Sequence, residues 1–206
     1  MARDGREDDD RPARRFGAKP LQPDRAWDYL LRLLAQRAYT VAELDAKLRG
    51  RGIGAADAAA LLKRLHDLQL VDDAAYAERY VASRRETRGR LALRQDLKRK
   101  GVDEALVERE LRDLDVNDQV RAAEALLRRN AWRYAPKHRK DDAAEVGDQL
   151  GDDADARSDF EAERQRRVAL AKARSKALAF LARRGFPAEA GLRALERVGW
   201  FDEDAP

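Results

Sequence analysis

Three glycines mark three copies of one pattern along this 206-residue chain, and no other feature of the sequence constrains the fold as strongly. Each glycine lies four residues after a leucine, directly before an apolar residue, and ten residues before a second leucine. The copies are Leu48, Gly52, Ile53 and Leu62; Leu97, Gly101, Val102 and Leu111; and Leu181, Gly185, Phe186 and Leu195. Glycine often takes the left-handed conformation that ends a helix. The pattern therefore predicts three helix-loop-helix copies that turn at these glycines.

The unequal spacing of the glycines predicts an insertion in the third copy. The first two glycines lie 49 residues apart and the last two lie 84 apart, which leaves 35 extra residues. Segments with few large apolar residues cannot offset the entropy lost on ordering. We therefore predict a disordered N-terminal tail over residues 1–23, three-helix repeats over 24–71, 72–116 and 117–206, and an acidic flexible insertion at about 135–158 of the third repeat.

The composition favours helix throughout the chain. Charged residues make up 40% of the sequence and aromatic residues 6%, so little is left for a single large core. Ala, Leu, Arg and Glu dominate, and all four favour helices over strands. We expect an all-α protein with no sheet of consequence.

Several helix starts can be predicted from capping residues. Thr40 with Glu43, and Ser158 with Glu161, each have the spacing of a capping box. Asp24 is a plausible N-cap of the first helix. Asp72 or Asp73 is expected to cap a later one, and we disfavour a catalytic or metal-binding role for this pair, because consecutive aspartates before a helix are ordinary caps.

Some classes of protein can be set aside. The chain has no cysteine, which excludes disulfides and thiolate metal sites, and it has no apolar run long enough to span a membrane. The N-terminus lacks the apolar core of a signal peptide, so a cytoplasmic location is expected. His66 and His138 lie far apart in sequence, and the glycines at 50, 52 and 54 lack the strand and GKS or GKT of a phosphate loop. We predict no enzymatic activity, no metal site and no cofactor.

The net charge of +4 conceals a strong polarity along the chain, since residues 26–140 carry +7 and residues 141–163 carry −9. A basic run over residues 84–100 is opposed only by Glu86 and Asp96. Its members are Arg84, Arg85, Arg88, Arg90, Arg94, Lys98, Arg99 and Lys100. Guanidinium groups suit phosphates and carboxylates alike. The run, together with Arg183 and Arg184, is the predicted surface for DNA or an acidic protein partner; a solvated basic face is the alternative.

Two groups of aromatic residues also allow two interpretations. Tyr76 and Tyr80 lie one helical turn apart, where packing between repeats is favoured over stacking on bases. Trp132 and Tyr134 alternate with cations at Lys137, Arg139 and Lys140. That second pattern suits either single-stranded nucleic acid or the packed end of a helix, and the sequence leaves both open.

The order of the motifs resembles the RecX family, cytoplasmic regulators of the bacterial RecA recombinase. The matching stretches are AxxYLLRLLAxRxYTxxELxxKL over residues 26–48, LVDDAAYAERYVxSR over 70–84, GRLALRQDLKRKGV over 89–102 and ALAFLARRGF over 177–186. The resemblance covers nearly everything outside the tail and the insertion. The acidic insertion departs from the family, whose third repeat is usually uninterrupted.

The resemblance implies an elongated, curved array of three tandem three-helix repeats. It also implies that the chain binds the RecA filament on single-stranded DNA and restrains filament growth, ATP hydrolysis and strand exchange. The predicted partners are the RecA filament and, as a second candidate, single-stranded DNA itself, with the chain acting as a monomer. Two alternatives remain: a transcriptional regulator that binds DNA through a helix-turn-helix unit, and a purely structural scaffold.

Overall fold

The structure is a computed structural model that describes residues 21–136 and 152–201, with side chains described over 21–136 and 160–201. Every regular element in these ranges is a helix, which confirms the all-α prediction. A short 3-10 helix, Pro23–Arg25, is followed by α1 (Ala26–Leu34), α2 (Val41–Arg49), α3 (Ala55–Asp67), α4 (Asp73–Arg84), α5 (Arg90–Arg99), α6 (Glu104–Leu111), α7 (Val116–Arg129), α8 (Ala131–Tyr134), α9 (Asp152–Arg183) and α10 (Ala188–Val198).

The residues up to Val71 form one compact unit. Helices α1, α2 and α3 bury a core that includes Leu30, Leu44, Leu48, Ile53 and Leu65. The predicted capping box opens α2: the Glu43 N–H donates to Thr40 Oγ1 at 3.1 Å, and the Thr40 N–H donates to Glu43 Oε2 at 3.4 Å. This start is therefore confirmed.

The residues from Asp72 onward form a second unit with two cores. Helices α4, α5 and α6 enclose the first core, whose buried members include Tyr76, Val81, Leu93, Leu97, Val107 and Leu111. Helices α7 to α10 enclose the second, whose members include Val120, Leu127, Tyr134, Phe180, Leu181 and Leu195. Each core is formed by helices that follow one another along the chain, although residues 135–151 separate α8 from α9.

The glycine pattern is confirmed in atomic detail at all three copies. Gly52, Gly101 and Gly185 have φ angles of 82°, 76° and 80°. In each copy the N–H of the apolar residue after the glycine donates to the carbonyl of the leucine at 3.1 Å, pairing Ile53 with Leu48, Val102 with Leu97, and Phe186 with Leu181. These bonds define a Schellman motif, which satisfies carbonyls left unpaired at the helix end.

Helix α5 begins where the second and third copies meet. The Gly89 N–H donates to the Arg184 carbonyl at 2.9 Å, and the Leu91 N–H donates to the Gly185 carbonyl at 3.0 Å. Between them, the Arg90 N–H donates to the side-chain oxygen of buried Gln119 at 2.7 Å. The first turn of α5 is therefore held by backbone from the end of α9 and by one side chain from α7, because no side chain of its own caps it.

Two predicted helix starts are wrong. Asp24 lies within the 3-10 helix, and the N-cap of α1 is Arg25, whose backbone continues from that helix. The described part of α9 already begins at Asp152, so Ser158 lies inside the helix and cannot cap it. Residues 152–158, which the sequence analysis places in the flexible insertion, therefore belong to helix α9.

The predicted tail and the rest of the insertion lie largely outside the described residues. Residues 1–20 and 137–151 are in that part of the chain. At the border of the tail, the Leu21 N–H donates to the Arg51 carbonyl at 2.8 Å, so ordered structure begins slightly before residue 24. The limits of the three repeats stay a prediction.

Candidate partner-binding surface

The start of α4 places two tyrosines of the candidate surface. Asp72 caps the helix, since its carboxylate accepts from the Ala74 N–H at 2.9 Å and from the Ala75 N–H at 3.1 Å. This is the capping role that the sequence predicted. The helix then carries Tyr76 and Tyr80 on one side, with their rings stacked at 6.2 Å between centroids.

A buried carboxylate on α5 organises the cations around Tyr80. Asp96 is 4% exposed, and its Oδ2 accepts from the Tyr80 hydroxyl at 3.1 Å. Arg88 approaches the same carboxylate at 3.5 Å, and Arg99 forms a close ion pair with its other oxygen. A buried charge needs such partners, because desolvation otherwise disfavours it strongly.

Two further cations lie over the tyrosine rings. The Arg84 guanidinium is 4.6 Å from the centroid of Tyr80. The Lys100 ammonium lies 5.5 Å from the centroid of Tyr76 and 5.8 Å from that of Tyr80. In such contacts the negative face of the aromatic ring attracts the cation. We name Tyr80, Arg84, Arg88, Asp96, Arg99 and Lys100 the Tyr80 surface; its members comprise four cations and one carboxylate.

The Tyr80 hydroxyl is held in its neutral form. Burial raises the pKa of Tyr80 above its usual 10.0, and the hydrogen bond to Asp96 and the charge of that carboxylate raise it further. Arg84 and Lys100 act in the opposite direction but do not prevail. Tyr80 is therefore protonated at neutral pH and donates a hydrogen bond to Asp96. Tyr76 is buried, in keeping with the packing interpretation, whereas Tyr80 is half-buried.

Three members of the predicted basic run, all on α5, are in contact with acidic residues of α6. Arg90 lies 3.7 Å from Glu108, Arg94 lies 2.6 Å from Glu104 and 2.9 Å from Glu108, and Lys98 forms a close ion pair with Glu104. We name these five residues the α5–α6 network. The hydrogen bond to Glu104 raises the pKa of Arg94, and hydrogen bonds from Lys98 and then Arg94 lower the pKa of Glu104. The network holds three cations against two carboxylates, so most of its charge is compensated.

The remaining predicted residues lie at the borders of α5. Arg85 is exposed and lines a cleft with Glu86, Asp118 and Arg121, which gives that cleft mixed charge. Arg183 and Arg184 are exposed at the end of α9, and the Arg184 guanidinium lies 5.4 Å from the centroid of Phe180. Since the Arg184 carbonyl accepts from Gly89, the backbone of Arg184 lies beside the start of α5. The cations of the predicted binding surface therefore lie in several different environments.

Of the two aromatic residues of α8, one is buried and the other is exposed. Tyr134 is buried and stacks on Phe180 at 4.6 Å between centroids, as the packed end of a helix would. Trp132 is 78% exposed. Lys137, Arg139 and Lys140 lie outside the described residues, so the nucleic-acid interpretation of this segment stays a prediction.

One basic segment was missed by the sequence analysis. Residues 164–176 of α9 contain six cations and no Asp or Glu, and the structure leaves them exposed along almost their whole length. The signal was available in the sequence as a long acid-free stretch. The stretch directly follows the strongly acidic residues 141–163, which offset its charge in the composition of that region.

No group of three or more His, Cys, Asp or Glu side chains in the described ranges is arranged to hold a metal ion. Within the same ranges, no helix combines the length and the apolar composition that crossing a membrane requires.

Comparison with known proteins identifies the family. The model of the first three-helix domain of RecX matches residues 26–65, and the model of the second matches residues 72–111. "Regulatory protein RecX" of Thermus thermophilus is 41% identical over 118 residues, which are 57% of this chain and 75% of that protein. The chain belongs to the RecX family. The RecX family assignment confirms the resemblance on which the sequence analysis relied.

Other members of the RecX family extend the comparison. "Regulatory protein RecX" of Mycobacterium sp. (strain KMS) is 42% identical over 113 residues, which are 54% of this chain. The match spans 62% of that relative's length. The crystal structure of RecX from Lactobacillus salivarius superposes with a TM-score of 0.62 at 20% identity, covering 86% of this chain and 96% of that one. At that identity the superposition supports the fold alone, as tandem three-helix domains.

Proposed function

We propose that this RecX-family chain binds the RecA filament on single-stranded DNA and restrains its ATP hydrolysis, its extension and its strand exchange. The Tyr80 surface is the observation that carries the proposal within this chain. It gathers four cations: Arg88 and Arg99 contact the carboxylate of Asp96, and Arg84 and Lys100 lie over the ring of Tyr80. A recombinase filament offers both carboxylates and DNA phosphates, and guanidinium groups bind either.

The contacts of the Tyr80 surface favour recognition because they fix its cations in advance. Arg88 and Arg99 are oriented by Asp96, and Arg84 is oriented by the ring of Tyr80. Side chains that are already ordered lose less entropy when they bind a partner. In the α5–α6 network, by contrast, Arg94 alone contacts two carboxylates, Glu104 and Glu108, whereas Arg88 and Arg99 share the single carboxylate of Asp96. We therefore assign the main contact to the Tyr80 surface and a supporting role to Arg90, Arg94 and Lys98.

The test is a titration of the full chain into its cognate RecA on single-stranded DNA, following ATP hydrolysis. The variant carries Arg84→Gln, Arg99→Gln and Lys100→Gln. Each removed cation of a binding surface commonly costs a measurable share of the affinity, so we expect half-inhibition to require at least about tenfold more protein. Glutamine keeps helix propensity close to that of arginine and lysine, so far-UV ellipticity should not change.

The matched control removes three exposed arginines elsewhere in the second unit, with Arg112→Gln, Arg129→Gln and Arg193→Gln. We expect this control to inhibit as the unmodified chain does. Equal titration curves for the two triple variants would contradict the assignment of the Tyr80 surface. The stoichiometry separates two modes: inhibition far below one regulator per recombinase supports end-capping, and inhibition only near saturation supports binding along the filament.

The alternative of a transcriptional regulator predicts a different outcome in the same assay. A helix-turn-helix protein reads bases with side chains on one recognition helix. Such a protein would leave ATP hydrolysis by the recombinase unchanged and would select particular sequences from a duplex pool. A purely structural scaffold would leave ATP hydrolysis by the recombinase unchanged and would select no DNA sequence.

A further inference from the structure

The middle of α9 is an exposed helical arm. The last part of that helix is packed in the core, where Ala177, Phe180 and Leu181 are buried. In residues 160–176, by contrast, no side chain is buried, and even Phe160 and Val168 are 72% and 62% exposed. Residues 160–176 of α9 therefore bury no apolar face against the described part of the fold.

The arm carries a high density of positive charge. Residues 164–176 contain Arg164, Arg166, Arg167, Lys172, Arg174 and Lys176, with no acidic residue among them. Among the described side chains, Arg167 has an acidic neighbour one turn earlier, since its Nε lies 3.1 Å from Glu163. Lys172 and Lys176 lie four residues apart, where like charges repel on a helix. We name residues 164–176 the basic arm.

The cations of the basic arm are distributed on opposite sides of the helix. At about 100° per residue, Arg164, Arg167 and Arg174 fall on one side. Arg166, Lys172 and Lys176 fall on the other. Ala169, Ala171, Ala173 and Ser175 lie between the cations of the second half, so the side chains there are small. A flat acidic protein surface would meet only one of these two sides.

A partner that surrounds the helix with negative charge fits this distribution best. A helix with neither an apolar face nor many i,i+4 ion pairs gains little stability on its own. The major groove of duplex DNA is about 12 Å wide, admits an α-helix, and has phosphates along both walls. At about 1.5 Å per residue the basic arm is about 20 Å long, enough to run through one groove crossing.

We propose that the basic arm binds the major groove of duplex DNA through the phosphates of both walls, independently of any recombinase. The two sets of cations then face the two walls, and the small residues allow the helix to approach the groove floor. Six such contacts would make binding fall steeply with salt, by about 10³ between 50 and 200 mM. Gln165 is the one amide side chain of the basic arm that could read adenine, so sequence preference is expected to be weak.

The test measures binding of the full chain to a fluorescently labelled duplex of mixed sequence and to the single strand of the same length, over a range of salt. One variant carries Arg164→Gln, Arg167→Gln and Arg174→Gln, and the other carries Arg166→Gln, Lys172→Gln and Lys176→Gln. Each should lower the salt dependence by about one phosphate contact per cation removed, and duplex affinity at low salt by about 100-fold. The triple change at Arg112, Arg129 and Arg193 is the control and should bind as the unmodified chain does.

Four results would overturn the proposal. Unchanged duplex binding in both arm variants would show that the arm makes no contact. A loss confined to one variant would show a one-sided surface rather than a groove. Equal loss in the control would show a general effect of net charge. Binding to the single strand as tight as to the duplex, with the same losses, would also overturn insertion in a groove. Far-UV ellipticity checks that the core helices persist, which is expected because the arm contributes no buried side chain.

Discussion

At the scale of single residues, Asp96 determines where the positive charge of α5 is held. Its carboxylate is buried and has Tyr80, Arg88 and Arg99 as partners. In the sequence, Asp96 is merely one of two acidic residues opposing a basic run. Burial converts it into the centre of the Tyr80 surface, because a buried carboxylate must collect hydrogen-bond donors and cations.

The pKa of Tyr80 gives a prediction about pH. A group whose pKa is raised in the folded state contributes stability fully below its unfolded value, here 10.0, and loses that contribution as pH rises through the folded value. We therefore expect the free energy of unfolding of the unmodified chain to fall, relative to Tyr80→Phe, as pH rises above 10. Urea unfolding on both sides of that pH, followed by ellipticity, measures the difference. Parallel pH profiles for the two proteins would contradict it.

Gly185 gives a second prediction at this scale. Its φ is +80°, and an added Cβ would lie 2.3 Å from both the Cβ and the N of Ala92. Gly185→Ala should therefore destabilise the second unit by about 3 kcal/mol, since both the backbone conformation and the contact with α5 are lost. The measurement is urea unfolding of the full chain.

Gly191→Ala is the control for Gly185→Ala. Gly191 lies inside α10, and an added Cβ would come no closer than 3.5 Å, to Leu178. We expect this change to be neutral or to stabilise the helix by about 0.5–1 kcal/mol, because alanine favours helix over glycine. Equal effects of the two substitutions would argue against the contact between Gly185 and α5.

At the scale of elements, ion pairs between α5 and α6 hold cations that the sequence of α5 alone would leave exposed to a partner. Arg90, Arg94 and Lys98 are spaced four residues apart and so lie on one side of α5. Their charges face Glu104 and Glu108, which lie on the next helix. Exposed ion pairs of this kind add little stability, but they do occupy the cations.

The α5–α6 network predicts that two triple variants differ. Arg90→Glu, Arg94→Glu and Lys98→Glu would place five carboxylates together, whereas the corresponding Gln variant only removes the ion pairs. We expect the Glu variant to melt at a lower temperature than the Gln variant, by about 2–4 °C for each kcal/mol of repulsion. Thermal unfolding followed by ellipticity measures this. Equal melting temperatures would contradict it, and the Gln variant is the cleaner probe of filament binding.

At the scale of the whole molecule, the family match and the strongest segregation of charge lie in different parts of the chain. The matches to the two RecX domain models end at residue 111, and the acidic residues 141–163 and the basic arm lie beyond that point. The two proposals are therefore separable. The Tyr80 surface lies in the region that matches the family and is tested with the recombinase, whereas the basic arm lies outside that region and is tested with DNA alone.

The sequence by itself determined the all-α class, the three glycine turns, the caps at Thr40 and Asp72, and the family. These features depend on contacts between residues at most six positions apart, or on the order of motifs along the chain. The tertiary structure decided which cations form ion pairs with acidic residues, which groups hold the first turn of α5, and where α9 begins. Arg94 and Glu104 are ten residues apart and Gly89 and Arg184 are much farther apart, so their contacts exist only after the helices pack. Local backbone energetics fix the first group, and the distances between packed helices fix the second.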